Sequence, residues 1–318
     1  MILVAGASGF VGSAVVERLV HCGIETRACV RRDGACVPDG AHAMRVGDLT
    51  KSADWSEALA GVEVAIHAAA RVHVMHDIAT DPLAEFRCIN VGGTLNLARQ
   101  AAAGGVRRFV FISSIKVNGE ATKLGVPFSA DDLPAPQDPY GISKMEAEQG
   151  LREIAAQTGM EVVIVRPPLV YGPGVKANFA ALMNAVQRGW PLPLGAVHNQ
   201  RSLVAIDNLV DFIVTCATHP QAANQTFLVS DRYDLSTSQL VQGLARAAGV
   251  PARLLPVPVW LLKAAAALLG KSDAVQRLCG DLQVDISKAH RLLGWAPLVS
   301  VEDGLRRAMA GRGDEASI

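Results

Sequence analysis

The sequence predicts an α/β fold, a doubly wound parallel sheet followed by a smaller, less regular C-terminal part. Three observations predict it. Apolar runs of strand length alternate with helix-length segments through the first half of the chain. Those runs are nearly continuous in apolar residues, the mark of strands covered on both faces. A glycine-rich turn stands directly between the first run and the first helical segment.

The elements follow in order. Ile2–Ala5 is wholly apolar and stops at Gly6, and the helix Phe10–His21 comes next, amphipathic over Ser13–Leu19. Further strands are expected at Thr26–Val30, His42–Val46, Val62–His67, Arg108–Ser113 and Val162–Arg166. Helices are expected at Ala53–Ala60, Pro82–Ala103 and Pro139–Thr158. The last opens with Asp138 placed as an N-cap and Pro139 at the first helical position. The character changes after Arg166-Pro167-Pro168. Prolines and glycines crowd Tyr171–Gly174 and Trp190–Gly195, which marks loops and short elements. The chain therefore divides into residues 1–167 and a discontinuous second part, 168–318. Arg201–Ile206 and Thr226–Ser230 are candidates to return to the sheet. The tail after Gly311 is small and polar and is expected to fray.

Composition narrows the function. Half of the 318 residues are hydrophobic and 19% are charged, enough for a large core. Thirty basic residues balance thirty acidic ones, which argues against nucleic acid or an anionic membrane as a partner but leaves room for a local basic pocket. Cys22, Cys29, Cys36, Cys88, Cys216 and Cys279 lack zinc spacing and read as free thiols of a reducing compartment. His73 and His76 share a helical spacing, but no third ligand is evident and no metal is expected. Val257–Leu269 is the most apolar later stretch, yet it is short and carries Lys263. It cannot span a bilayer and is expected as a buried or interfacial helix. No signal peptide is read at the start, and the expected location is the cytoplasm.

Gly6-Ala7-Ser8-Gly9-Phe10-Val11-Gly12 has the spacing of a dinucleotide cradle. Gly6 permits the tight turn, Gly9 lets the backbone approach a pyrophosphate, and Gly12 lets the helix pack on the sheet. Free N–H groups at the helix start then face the phosphates. After the second strand stands Val30-Arg31-Arg32-Asp33. The paired guanidiniums suit a 2′-phosphate and favour NADP(H). NAD(H) is the alternative, with Asp33 reaching the ribose diol. Asp48-Leu49, after the third strand, would lie beside the adenine.

Tyr140 and Lys144 lie four apart, about one turn along a helical face. A free phenol, with a pKa of about 10, is a poor acid-base near neutrality, and a nearby ammonium favours its phenolate. Ser114, just after the strand Arg108–Ser113, is placed to hydrogen-bond the reacting oxygen. The alternative for Ser114 is a strand-end serine satisfied by backbone.

At these residues the sequence resembles the extended short-chain dehydrogenase/reductases, the UDP-galactose 4-epimerase-like members of the NAD-dependent epimerase/dehydratase family. The resemblance rests on Gly6/Gly9/Gly12, His67-Ala68-Ala69-Ala70, Asn90-Val91-Gly92-Gly93-Thr94, Ser113-Ser114, Tyr140/Lys144 and Arg166–Gly174. It implies a Rossmann domain with a nucleotide-sugar domain behind it, and catalysis by Ser114, Tyr140 and Lys144. It further implies cofactor contacts from Ser8, Phe10, Val11, Ala68, Ala69, Ala70 and Pro167, besides the cradle glycines, Tyr140 and Lys144. Asn178 and Arg201 are implied at the substrate diphosphate, with Arg277 a lesser candidate. Read alone, Asn178 could instead cap the helix Phe179–Gln187, and Arg201 could pair with Asp207.

Two departures from the family pattern matter: where epimerases continue from the serines into a small residue and Val-Tyr-Gly, this chain reads Ser114-Ile115-Lys116-Val117-Asn118-Gly119. Ile115-Lys116 follow Ser114, so the acid that dehydratases place there is missing. With Arg31 and Arg32, this looks more like bacterial 4-keto-reductases of UDP-linked 6-deoxy-hexosamines in surface-polysaccharide synthesis. The expected reaction is therefore NADP(H)-dependent reduction at C4, with UDP-sugar 4-epimerisation on bound NAD as the alternative. A non-catalytic dinucleotide sensor is a third reading, disfavoured by the Tyr/Lys pair. Lys116 reads equally as facing the substrate or as a solvated loop residue. In the resembled family the helices carrying Tyr140 and Pro82–Ala103 pair across a two-fold. Ala84, Leu95, Leu97, Ala98, Leu151 and Ile154 are the residues expected to support such a homodimer.

Overall fold

A computed structural model describes residues 1–72, 81–270 and 272–311. His73 and His76 lie outside the described residues. Seven parallel strands form the main sheet: β1 (Ile2–Ala5), β2 (Thr26–Val30), β3 (His42–Arg45), β4 (Val64–His67), β5 (Arg108–Ile112), β6 (Glu161–Arg166) and, from late in the chain, β9 (Thr226–Leu228). Their spatial order is β3-β2-β1-β4-β5-β6-β9. The order reverses between β1 and β4, which opens a crevice at the carboxyl ends of those strands. A doubly wound α/β fold is what the alternating runs predict.

Helices cover both faces because both faces are apolar. On one side α1 (Phe10–His21) and α7 (Ile206–Thr218) bring Val15, Leu19, Phe212 and Ile213 onto the sheet, all fully buried. On the other side α4 (Thr94–Ala103) and α5 (Pro139–Thr158) bring Leu97, Ala98, Ala101, Leu151 and Ile154. This corrects the expected dimer face. Leu97, Ala98, Leu151 and Ile154 are spent on the sheet, where burying each large side chain is worth roughly 1.5–3 kcal/mol. The short helix α2 (Ser56–Leu59) adds Ala58 and Leu59 to the same face.

The expected helix 82–103 is continuous but not uniform. Between α3 (Pro82–Phe86) and α4 it widens into a π-helical segment, Arg87–Gly93. Gly93 sits so close to Leu49 that a Cβ there would meet the leucine side chain at 2.6 Å. The widened turn thus seats the helix on the loop after β3.

Of the two proposed returns, Thr226–Ser230 supplies β9 of the main sheet. Arg201–Ile206 does not join it. Its strand β8 (Leu203–Ala205) pairs in parallel with β7 (Leu169–Tyr171) in a separate two-stranded sheet. The reason is local: Tyr171 Oη donates to Asp231 at 2.7 Å, and Ala205 N donates to the same buried carboxylate at 2.9 Å. That carboxylate satisfies both strands beside the end of β9. A third core follows, in which α6 (Ala177–Gln187), α8 (Thr237–Ala248) and α12 (Val301–Ala310) enclose Tyr171, Phe179, Met183, Leu244 and Leu305. The remaining helices are α9 (Val259–Leu268), α10 (Ser272–Cys279) and α11 (Ser287–Leu293).

Candidate active site

The turn after β1 is built by steric exclusion. Gly6 has φ +85°, and a Cβ there would meet Ala69 N at 2.6 Å. A Cβ on Gly12 would come within 2.0 Å of the Gly6 carbonyl oxygen. Gly9 is different. Its Cβ would meet only the Gly6 oxygen, at 3.2 Å, a tight contact that asks the turn to give by a few tenths of an ångström, far less than Gly12 demands. The open side of Gly9 faces the start of α1, which has no side-chain cap. Its first-turn N–H groups are therefore free for phosphate oxygens. The residues present fit a dinucleotide pyrophosphate. Ser8, Phe10, Val11 and Ala68–Ala70 border this turn, Ala69 lying directly against Gly6.

At the ends of β2 and β3 the charges alternate. Arg31 Nε lies 3.7 Å from Asp48, and Arg45 Nη1 lies 2.9 Å from Asp33. All four side chains are well exposed. Asp33 is thus turned toward Arg45, while Arg31 shares its ground with an acid.

Tyr140 and Lys144 occupy the first turns of α5. Asp138 caps the helix by accepting from Gly141 N at 2.7 Å, and Pro139 holds the first position. Lys144 is buried; its Nζ donates to the Ile112 carbonyl at 2.8 Å and stands 4.5 Å above the Phe111 ring and 5.9 Å from the Tyr140 ring. Burial pulls its pKa down to about 7, against an upward pull from Glu148. The Tyr140 phenol is pushed up, first by enclosure and then by the Asp138 carboxylate. The structure therefore keeps the phenol protonated, contrary to a simple ammonium-lowered phenolate. Ser114 follows β5, half-buried, and its Oγ accepts from Lys116 N at 3.3 Å, leaving the hydroxyl proton to donate. Pro167 ends β6 beside it, its carbonyl accepting from Ile115 N at 3.0 Å.

Two supports lie behind these groups. Glu148, one turn beyond Lys144, accepts from Ser113 Oγ at 2.6 Å and from Arg166 Nε and Nη2 at 2.9 and 2.6 Å. Arg166 also donates to Asn118 Oδ1 at 2.9 Å. A buried, two-pronged ion pair thus ties α5 to the ends of β5 and β6. Asn90, in the π-helical segment, exchanges hydrogen bonds with the Arg71 backbone at 2.8 and 3.0 Å and donates to Ser143 Oγ at 3.0 Å. Ser143 in turn donates to the Tyr140 carbonyl at 2.8 Å. Sequence reasoning had no role for Glu148 or Ser143. The available signal was a Tyr-Lys-Glu series at four-residue steps on one helical face.

The substrate side is mixed. Lys116 Nζ bonds the Asp138 carboxylate and lies 3.0 Å from Glu120, so it clamps the start of α5 instead of projecting freely. Asn178 is exposed in the first turn of α6, a helix without a side-chain cap, so Asn178 does not cap it. Arg201 donates to the Gly280 carbonyl at 3.0 Å, and Asp207 is taken by Arg307 at 2.7 Å. Arg277, exposed on α10, is near enough to Arg201 to repel its charge.

Residues 2–230 match the model of the NAD dependent epimerase/dehydratase family. The chain belongs to this family. A family relative in Vibrio cholerae, a UDP-glucose 4-epimerase, is 50% identical over 96% of this chain and 93% of its own. An Escherichia coli O157:H7 relative, N-acetyl-alpha-D-glucosaminyl-diphospho-ditrans,octacis-undecaprenol 4-epimerase, is 27% identical over 97% of this chain and 94% of its own. Among solved structures, MoeE5 in complex with UDP-glucose and NAD superposes with a TM-score of 0.78 at 25% identity, covering 99% of both chains. The Thermotoga maritima UDP-glucose 4-epimerase with UDP-glucose gives a TM-score of 0.79 at 23% identity, again over 99% of both. As a family member this chain is an enzyme of NAD-dependent oxidoreductase or epimerase type. Among its described residues no helix is long and apolar enough to cross a membrane.

Proposed function

We propose that this chain is a UDP-sugar 4-epimerase working on tightly held NAD, with Tyr140 as acid-base. The observation that carries the reading is the match, at 50% identity over nearly the whole length of both chains, to a UDP-glucose 4-epimerase. It favours the epimerase alternative over the NADP(H)-dependent 4-keto-reductase expected first. The charge pattern agrees. Arg31 and Arg45 are already engaged by Asp48 and Asp33, so neither guanidinium is held open for a 2′-phosphate. NAD, the nucleotide in the MoeE5 complex, asks for no such guanidinium.

Bound NAD⁺ supplies the hydride acceptor and a positive charge that favours the phenolate. Tyr140 takes the proton of the C4 hydroxyl as hydride leaves that carbon. Ser114 holds the carbonyl oxygen that forms. Once the keto sugar has turned over, Tyr140 would return the proton to the C4 oxygen, the bound dinucleotide supplying the hydride for the other face. Lys144 holds the nicotinamide ribose and steadies the phenolate. Asn178 and Arg201, with Arg277 secondary, receive the diphosphate; Lys116 is left to its structural clamp.

The test is incubation of the purified protein with UDP-glucose and no added nucleotide. UDP-galactose should appear. Tyr140→Phe should lower turnover by about 10²–10⁴. Turnover only on addition of NADPH and a 4-keto sugar would restore the reductase, absence of any sugar turnover would revive the non-catalytic reading, and unchanged turnover in the variant would place the chemistry elsewhere than Tyr140. A homodimer through the outer faces of α3–α5, where Ala84 and Leu95 are not buried, belongs to the same proposal. Light scattering at micromolar concentration should give twice the chain mass; a monomer contradicts it.

A further inference from the structure

One surface has no part in the chemistry above. On α9, Val259, Leu262 and Ala266 form one stripe, and it rests on the third core. Trp260, Leu261, Ala264, Ala265 and Leu268 stand on the opposite side and are exposed, with Leu269 continuing the face just past the helix. Trp260 is 70%, Leu268 89% and Leu269 71% exposed. A helix apolar on nearly every side but for one lysine, Lys263, belongs in a core or against an apolar partner, and this one has only one side in a core. The patch does not stop at α9. Leu192 N donates to the Arg253 carbonyl and Leu255 N to the Leu192 carbonyl, both at 2.8 Å, which brings the loop of exposed Trp190 beside exposed Leu255. Of the four tryptophans, Trp55 and Trp295 are buried, while Trp190 and Trp260 are the exposed pair.

The charge around this face is one-sided, although the chain as a whole is neutral. In sequence, residues 250–280 hold four basic residues and one acidic one, and among the described side chains Arg253 and Lys263 are exposed at this face. Arg188 joins them, its guanidinium 5.6 Å above the Trp190 ring. Exposed leucines and tryptophans with a basic border are the composition of a helix lying in the headgroup layer of an anionic bilayer. A second copy of this chain would bring the same positive charges against themselves. We propose that α9 and the Trp190 loop dock this enzyme reversibly on an anionic lipid surface. The inference is independent of which sugar is epimerised.

The experiment is co-sedimentation of the full chain with vesicles of phosphatidylglycerol and phosphatidylcholine, beside vesicles of phosphatidylcholine alone. Binding to the anionic vesicles should be at least about tenfold stronger and should weaken with salt. Trp260→Glu with Leu268→Glu should reduce it about tenfold or more. Turnover of a soluble UDP-sugar by that variant should be unchanged, which also certifies its fold. Lys263→Glu, a milder change, should reduce binding to anionic vesicles while leaving the weak binding to phosphatidylcholine unaltered. A parent protein that stays in the supernatant overturns the proposal. So does undiminished binding by the double variant. A double variant that loses oligomeric mass, with a parent that binds no vesicle, assigns the face to a second copy and overturns it equally.

Discussion

Lys144 donates from Nζ to the carbonyl of Ile112 at 2.8 Å, across the gap between the catalytic helix and the end of the central strand. That bond fixes the ammonium beneath the Tyr140 ring and keeps it out of water. Lys144→Met should therefore lower turnover by about a hundredfold or more and weaken retention of NAD. It should also change a pH dependence. With a folded pKa of about 7 and an ordinary one near 10.5, the unfolded chain binds the extra proton between those values. Stability should rise with pH across that window, by up to about 1.4 kcal/mol per unit. Lys144→Met should remove this rise. Denaturant midpoints measured from pH 7 to pH 10 check it.

Gly9 and Gly12 should respond differently to alanine. Gly12→Ala drives a Cβ to 2.0 Å from backbone and should destabilise the fold by about 1–3 kcal/mol. Gly9→Ala makes one tight contact, with the Gly6 oxygen at 3.2 Å, and should destabilise by less than Gly12→Ala, by about 1 kcal/mol or under. It should nevertheless weaken NAD retention. Thermal melts beside the absorbance of bound nucleotide separate the two. Equal destabilisation by both would mean that Gly9 serves the turn and not a ligand.

Glu148→Gln should cost about 3–5 kcal/mol, because Arg166 is then left buried without its counter-charge. Urea unfolding measures this directly. A loss under 1 kcal/mol would show that Asn118 and Ser113 alone can hold Arg166 and the strand ends.

Much of this was legible in the residues, and the limits have physical causes. Ile2–Ala5, Thr26–Val30, Phe10–His21 and Pro139–Thr158 appear with the bounds read from sequence, since apolar runs, glycine stops and the Asp138-Pro139 cap are local signals. The pairing of Leu203–Ala205 with Leu169–Tyr171 was not legible. Any short apolar run can extend either sheet, and a buried carboxylate from Asp231 decides which. Lys116 was undecidable because its partners, Asp138 and Glu120, are set by a turn and not by spacing alone. The helix Val259–Leu268 was rightly read as too short to span a bilayer, but how much of it stays uncovered depends on its packing against α10 and the third core.

The central claim is that hydride leaves C4 and returns to C4 of the same sugar through NAD that stays bound. Mass spectrometry of the product made from UDP-glucose deuterated at C4, with no nucleotide added, tests it most directly. The account predicts UDP-galactose that keeps the deuterium at C4, with no net oxidation or reduction of nucleotide. Product that has lost the label, or no product until NADPH is supplied and consumed mole for mole, would contradict it.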